Sequence, residues 1–130
     1  MRRATGSFEV TLQPLSNSEV TSDPLFGRLL LTKKFNGDLT ATARGQMLSS
    51  GTLTKGSAGY VAIDQVTGEL DGRKGSFVLQ HCAPGSRGER LVITVVPGTG
   101  TEELAGITGG FEIRIDDAGV HSYVFRYALA

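Results

Sequence analysis

GTGTEELAGITGGFEI, Gly98–Ile113, sets five glycines in sixteen residues between the apolar run RLVITVV and the alternating stretch FEIRI. A glycine-rich loop after a strand is what a phosphate site needs, because only glycine lets backbone N–H groups crowd an anion. The spacing fails that test. Gly98 and Gly100 supply the first two glycines of G-x-G-x-x-G, but the third position is Glu103, whose charge repels a pyrophosphate. Phosphate motifs also need a helix downstream with its N-terminal amides facing the anion. Here Phe111, Ile113 and Ile115 alternate with Glu112, Arg114 and Asp116, the period of a half-buried strand.

The same alternation recurs along the chain. Phe8, Val10 and Leu12 alternate with Ser7, Glu9 and Thr11, and Leu29, Leu31 and Phe35 share one parity in the segment Gly27–Phe35. GDLTATARGQML, AGYVAIDQV, GSFVLQH, RLVITVV, GFEIRI and HSYVFRYAL bring the expected strands to eight, with little or no helix. The connections NGD, VTGEL and DDAG are short and turn-rich, which favours antiparallel neighbours. An antiparallel set of this size has exposed edges unless it closes, so the expected fold is all-β, an eight-stranded antiparallel barrel; a two-sheet sandwich is the alternative. The one long irregular segment is 13–27, QPLSNSEVTSDPLFG, read as a loop crossing one end of the sheet or a flap.

A repeat explains the glycines. LDGRKGSFVL from Leu70 and LAGITGGFEI from Leu104 share L-x-G-x-x-G-x-F-x-[LI], aligning Gly72 with Gly106, Gly75 with Gly109 and Phe77 with Phe111. The glycines permit a bend or bulge where the chain enters a strand, and the phenylalanine pins the core side.

The 130 residues fit a single domain, 1–130. Thirteen basic residues balance thirteen acidic ones, which argues against nucleic acid or an anionic membrane as partner. No apolar segment of signal-peptide or transmembrane type occurs, and Cys82 is a lone cysteine, so a cytoplasmic location is expected. One cysteine and two histidines without ligand spacing suggest no metal, and no motif implies a cofactor.

KGSAGYVAIDQVTGELDGRKGSFVLQH, LVITVVPGTGTEELAGITGGFEI and HSYVFRYAL together resemble a bacterial family, catalogued as domain of unknown function 3224, over nearly the whole chain. The resemblance implies a barrel of the allene oxide cyclase-like class, shared with plant cyclases and dirigent proteins. In those relatives too a GTG stretch leads into a strand. Their polar pocket groups have no residue-by-residue counterparts here, so their activities would transfer by fold analogy alone.

Candidate chemistry is sparse. His81 shares parity with Phe77 and Leu79, which points it inward near a barrel mouth, where it is either an acid–base group or a hydrogen-bonded structural residue. Cys82, next to it, faces the opposite side of the strand. His121, Tyr123 and Tyr127 lie on the core parity of the last strand. Tyr60 and Asp64 share a parity and join them if inward-facing; an outward Tyr60 would suit a subunit contact. Lys33 shares parity with Leu31 and Phe35, so its charge must reach a barrel end, meet an acid, or line a wet cavity. Asp71 and Arg73 flank Gly72 and suit a local pair, whereas Glu102–Glu103 and Asp116–Asp117 read as solvated turn acids.

The ligand-binding candidates are therefore Lys33, Tyr60, Asp64, His81, His121, Tyr123 and Tyr127, with no catalytic residue assigned and enzyme status open. The first expectation is a barrel binding a small, partly apolar molecule. An isomerase or cyclase using His81, Tyr60 and Tyr123 is the second. The third is an oligomerising module, since Val61, Ile63, Val78, Val92 and Val96 fall on the outward parity and favour a homo-oligomer.

Overall fold

Every expected strand forms, and each is longer or shorter according to how far its neighbours carry the ladder. The computed structural model describes residues 1–15, 26–51, 58–84 and 91–129. Among these, the strands are β1 (Arg2–Pro14), β2 (Phe26–Gly37), β3 (Leu39–Gly51), β4 (Ala58–Leu70), β5 (Arg73–Ala83), β6 (Val92–Val95), β7 (Thr108–Ile115) and β8 (His121–Ala128), with one short 3-10 helix at Glu102–Leu104. Each strand pairs antiparallel with the next, and β1 pairs with β8, matching Gly6 to Tyr123 and Phe8 to His121. The sheet is thus a closed barrel rather than a sandwich. Closure leaves no free edge along the paired strands.

Both ends of the segment expected to be irregular, 13–27, lie in strands. Gln13 and Pro14 pair with Leu30 and Leu29, and Phe26 and Gly27 pair with Ser50 and Ser49, so cross-strand pairing overrides the local turn chemistry. The remainder, 16–25, lies outside the described residues.

One half of the interior is filled with rings. Phe77 and Phe111 stack on Phe125 at centroid distances of 5.6 and 4.1 Å, and Tyr127 lies 5.2 Å beyond. Phe35 meets Tyr123 edge-on at 5.6 Å. Leu104 of the 3-10 helix and Ile107 close this end and are fully buried. At ~1.5–3 kcal/mol for each large apolar side chain removed from water, this cluster is the main stabilising element.

The repeat has a structural meaning. Leu70 and Leu104 are both buried, and Phe77 and Phe111 sandwich Phe125. Gly72 and Gly106 hold φ of 82° and 79°, the left-handed region where a side chain is strained. Asp71, at φ 49°, precedes Gly72 in a two-residue hairpin closed by the Leu70–Arg73 pair, as an Asp-Gly turn requires. The glycine-rich loop is barrel architecture.

Candidate functional site

The opposite half of the barrel is not filled. A cavity of about 230 Å³ enters between β1, β2, β4 and the β6–β8 side, its wall built by Phe8, Val10, Leu12, Leu31, Met47, Ala62, Ile93 and Ile113, with Leu91 and Ile115 at exposed positions. Four sequence candidates line it: Lys33, Tyr60, His81 and His121. Asp64 stands behind Lys33 and His81, wholly buried.

Strand parity places these groups. Lys33 lies between Leu31 and Phe35 on the inward side of β2, Asp64 between Ala62 and Val66 on β4, and His81 beyond Leu79 on β5. Cross-strand register then converges them: Leu31 pairs with Gly45, Gly45 with Asp64, and Ala62 with His81. Gly45 is the residue that sequence reasoning passed over. A Cβ there would collide with the Ile63 carbonyl oxygen and lie 2.7 Å from Asp64 Cβ. With Ala41 and Ala43, it keeps the inner face of β3 low enough for Lys33 to lie across it; small residues on an inward parity are the sequence signal of such space.

Lys33 Nζ lies 3.1 Å from Asp64 Oδ2, and His81 Nε2 lies 2.8 Å from Asp64 Oδ1. The side chains are 8 %, 0 % and 5 % exposed for Lys33, Asp64 and His81. Nζ and Nε2 are themselves 3.2 Å apart. Nε2 carries at most one hydrogen, so when it donates to Oδ1 it cannot also accept from the ammonium. The carboxylate is the acceptor that draws both nitrogens together. Oδ2 receives the lysine as an ion pair without a well-aligned hydrogen bond, and is one of two buried side-chain polar atoms without a directional partner among the described residues.

Burial alone would raise the Asp64 pKa, but the His81 hydrogen bond and the Lys33 charge outweigh it and hold the carboxyl below its ordinary 3.8. Burial dominates at Lys33, keeping the ammonium below its ordinary 10.5 even though Asp64 opposes the shift. Burial also raises the Tyr60 phenol above 10.0. The site therefore places an ionised carboxylate, an amine with weakened affinity for its proton, and an imidazole at the floor of an apolar chamber.

Tyr123 and Tyr127 are inward-facing, as their parity requires, but sit in the filled half. The Tyr123 hydroxyl accepts the Leu39 N–H at 2.9 Å and lies 3.0 Å from the Asn36 carbonyl, bracing the β2–β3 turn. The Tyr127 hydroxyl donates to Asp71, which is thereby engaged with a tyrosine rather than pairing with Arg73. Cys82 is exposed on the outer wall, with Gln80. Val61, Ile63 and Val92 are exposed there too, while Val78 and Val96 are half-buried. Among the described residues no three His, Cys, Asp or Glu side chains converge as a metal set. No helix among them is long and apolar enough to cross a membrane.

The sequence pattern of the family described as "Protein of unknown function (DUF3224)" matches residues 4–127. The fold is similar to the crystal structure of a protein of unknown function from that family in Shewanella oneidensis MR-1, at 46 % sequence identity and a TM-score of 0.91, covering 100 % of this chain and 98 % of that one. Among curated proteins, none matches.

Proposed function

The chain belongs to the DUF3224 family, and within that frame we propose that it binds a small, partly apolar molecule in the open half of the barrel. The observation that carries this reading is the cavity itself: mostly apolar walls over a floor where Lys33 and His81 converge, backed by Asp64, the usual composition of a small-molecule site. At about 230 Å³ it falls below the ~300–1,000 Å³ of drug-sized pockets, so the guest is small. Its apolar part meets Val10, Met47 and Ile113, and its polar end meets Lys33 and His81.

Titration with 1-hexanol, followed by amide NMR shifts, tests this. Saturable shifts confined to residues around Val10, Ala62, His81 and Ile113 are expected. Shifts absent there, or spread evenly over the outer wall, overturn the reading.

The Lys33–Asp64–His81 cluster supports a second reading, an isomerase or cyclase acting on a reactive small molecule, since proton transfer needs paired acid and base groups of unequal proton affinity. That activity would make the substrate exchange hydrogen with solvent deuterium, and the exchange would disappear in His81→Ala.

A further inference from the structure

The lysine at the cavity floor has a setting that hydrogen bonding alone does not require. A barrel that needs only a hydrogen-bond donor for Asp64 has His81 at 2.8 Å for that purpose. Burying a lysine as well costs desolvation, which an apolar residue on the same parity would avoid. Lys33 is nevertheless carried inward, reaches the cavity wall, and lies 3.1 Å from a carboxylate oxygen that has no well-aligned donor. Phe35 lies 5.9 Å from Nζ, and apart from Tyr60, His81 and His121 the chamber is lined by apolar side chains. An amine in a mostly apolar chamber, with a proton acceptor in contact and open space before it, is the arrangement of a lysine that attacks carbonyl carbon.

We propose that Lys33 is a nucleophilic amine that condenses with the carbonyl group of a small apolar aldehyde or ketone held in the cavity, with Asp64 carrying the protons and His81 positioning Asp64. The inference rests on the cavity reading above and names the class of guest. The lone pair of the neutral amine forms the C–N bond while the carbonyl π pair moves to oxygen. One amine hydrogen passes from nitrogen through Asp64 Oδ2 to that oxygen, giving a carbinolamine. The second follows as the C–O bond breaks, so that water leaves and C=N replaces C=O. Amine plus carbonyl thus gives imine plus water, with no oxidant or reductant. The depressed proton affinity of Lys33 supplies the neutral amine near neutral pH, each unit of depression raising that fraction about tenfold. His81 donates to Oδ1 and so keeps Oδ2 turned to the amine; it acts through Asp64 and is a positioning residue.

Reductive trapping reads this out directly. The intact protein is incubated at neutral pH with hexanal and sodium cyanoborohydride, and the modified lysines are mapped by peptide mass spectrometry. Lys33 is expected to be hexylated at least about tenfold faster than the exposed Lys34 and Lys74, which serve as references within the same molecule. In Asp64→Asn, where loss of the opposing carboxylate by itself leaves more neutral amine, the advantage of Lys33 over Lys74 is nevertheless expected to fall by about tenfold because the proton carrier is gone, with the Lys74 rate unchanged and a native NMR spectrum showing that the variant folds. Labelling of wild-type Lys33 no faster than Lys34 overturns the proposal without need of any variant. The 1-hexanol titration separates the two readings. Hexanol shifts without preferential Lys33 trapping keep the binding cavity and reject the imine; neither result in hand rejects both.

Discussion

Asp64 is the residue on which the interior depends, because it is the hydrogen-bond acceptor for His81 and the counter-charge for Lys33, and its own side chain is wholly buried. Asp64→Ala leaves the Lys33 charge buried and unpaired, a change expected to cost about 3–5 kcal/mol in urea unfolding. Removing Lys33 and Asp64 together, as Lys33→Met with Asp64→Leu, exchanges the ion pair for apolar packing and is expected to recover part of that loss, the remainder reflecting His81 Nε2 left without its acceptor. A double variant as unstable as Asp64→Ala would mean that the pair contributes through something other than mutual neutralisation. The acid limb follows from the same contact. The folded pKa of Asp64 is depressed, so the unfolded chain binds the proton first as pH falls. The stability Asp64 contributes is complete above its ordinary 3.8 and is lost as pH falls through the lower folded value. The unfolding free-energy difference between wild type and Asp64→Asn is therefore expected to be flat at neutral pH and to shrink below about pH 4. Lys33 acts at the other limb. Its folded pKa is also depressed, so the folded state releases its proton first, and wild type is expected to gain stability over Lys33→Met as pH rises toward 10.5.

At the scale of the elements, the hairpins show what the sequence can and cannot disclose. The LDGR turn fixes the β4–β5 register by itself: once Leu70 faces Arg73 across two residues, Ala62 must face His81 and Asp64 must face Leu79. Alternation supplies the inward parity of each strand, so the approach of His81 to Asp64 can be counted from residues 58–82 once the turn is placed at Asp71–Gly72; the turn-rich reading of VTGEL misplaced it, since those residues pair within β4. The approach of Lys33 cannot be counted this way. It depends on the β3–β4 register, Gly45 to Asp64, and the connection over 52–57 has no two-residue turn signature from which a register could be counted. Parity also failed to separate Tyr123 and Tyr127 from the site, because it assigns a face of the strand but no depth along the barrel. Depth is set by what fills each level, and that comes from the whole ring of strands. Phe125 sits where the filling is complete, so Phe125→Ala is expected to cost about 3–5 kcal/mol. Ile113→Ala, on the wall of a space already open, is expected to cost less than about 2 kcal/mol. Equal losses would show that the open half is packed as tightly as the aromatic half.

The molecule as a whole is a barrel divided across its length, with rings and the 3-10 helix closing one half and an ion-paired floor beneath an apolar chamber in the other. Strand pairing closes the barrel, with β6 meeting β7 only at Ile93–Phe111 and Thr94–Gly110 among the described residues, but apolar contact is uneven between the two halves, and opening free energy follows contact. Amides of β5 and β8 beside Phe77 and Phe125 are therefore expected to exchange with solvent deuterium only through global unfolding. Amides of β1 from Val10 to Gln13 and of β2 from Phe26 to Leu31, which flank the chamber, are expected to exchange through smaller local openings. A guest in the chamber supplies the missing contacts and leaves the filled half untouched. Native-state exchange by NMR, with and without 1-hexanol, should thus show slowing confined to the chamber end. Uniform protection along β1 and β8, or equal slowing in both halves, would mean that the barrel opens as one unit and that its guest is recognised by the whole sheet.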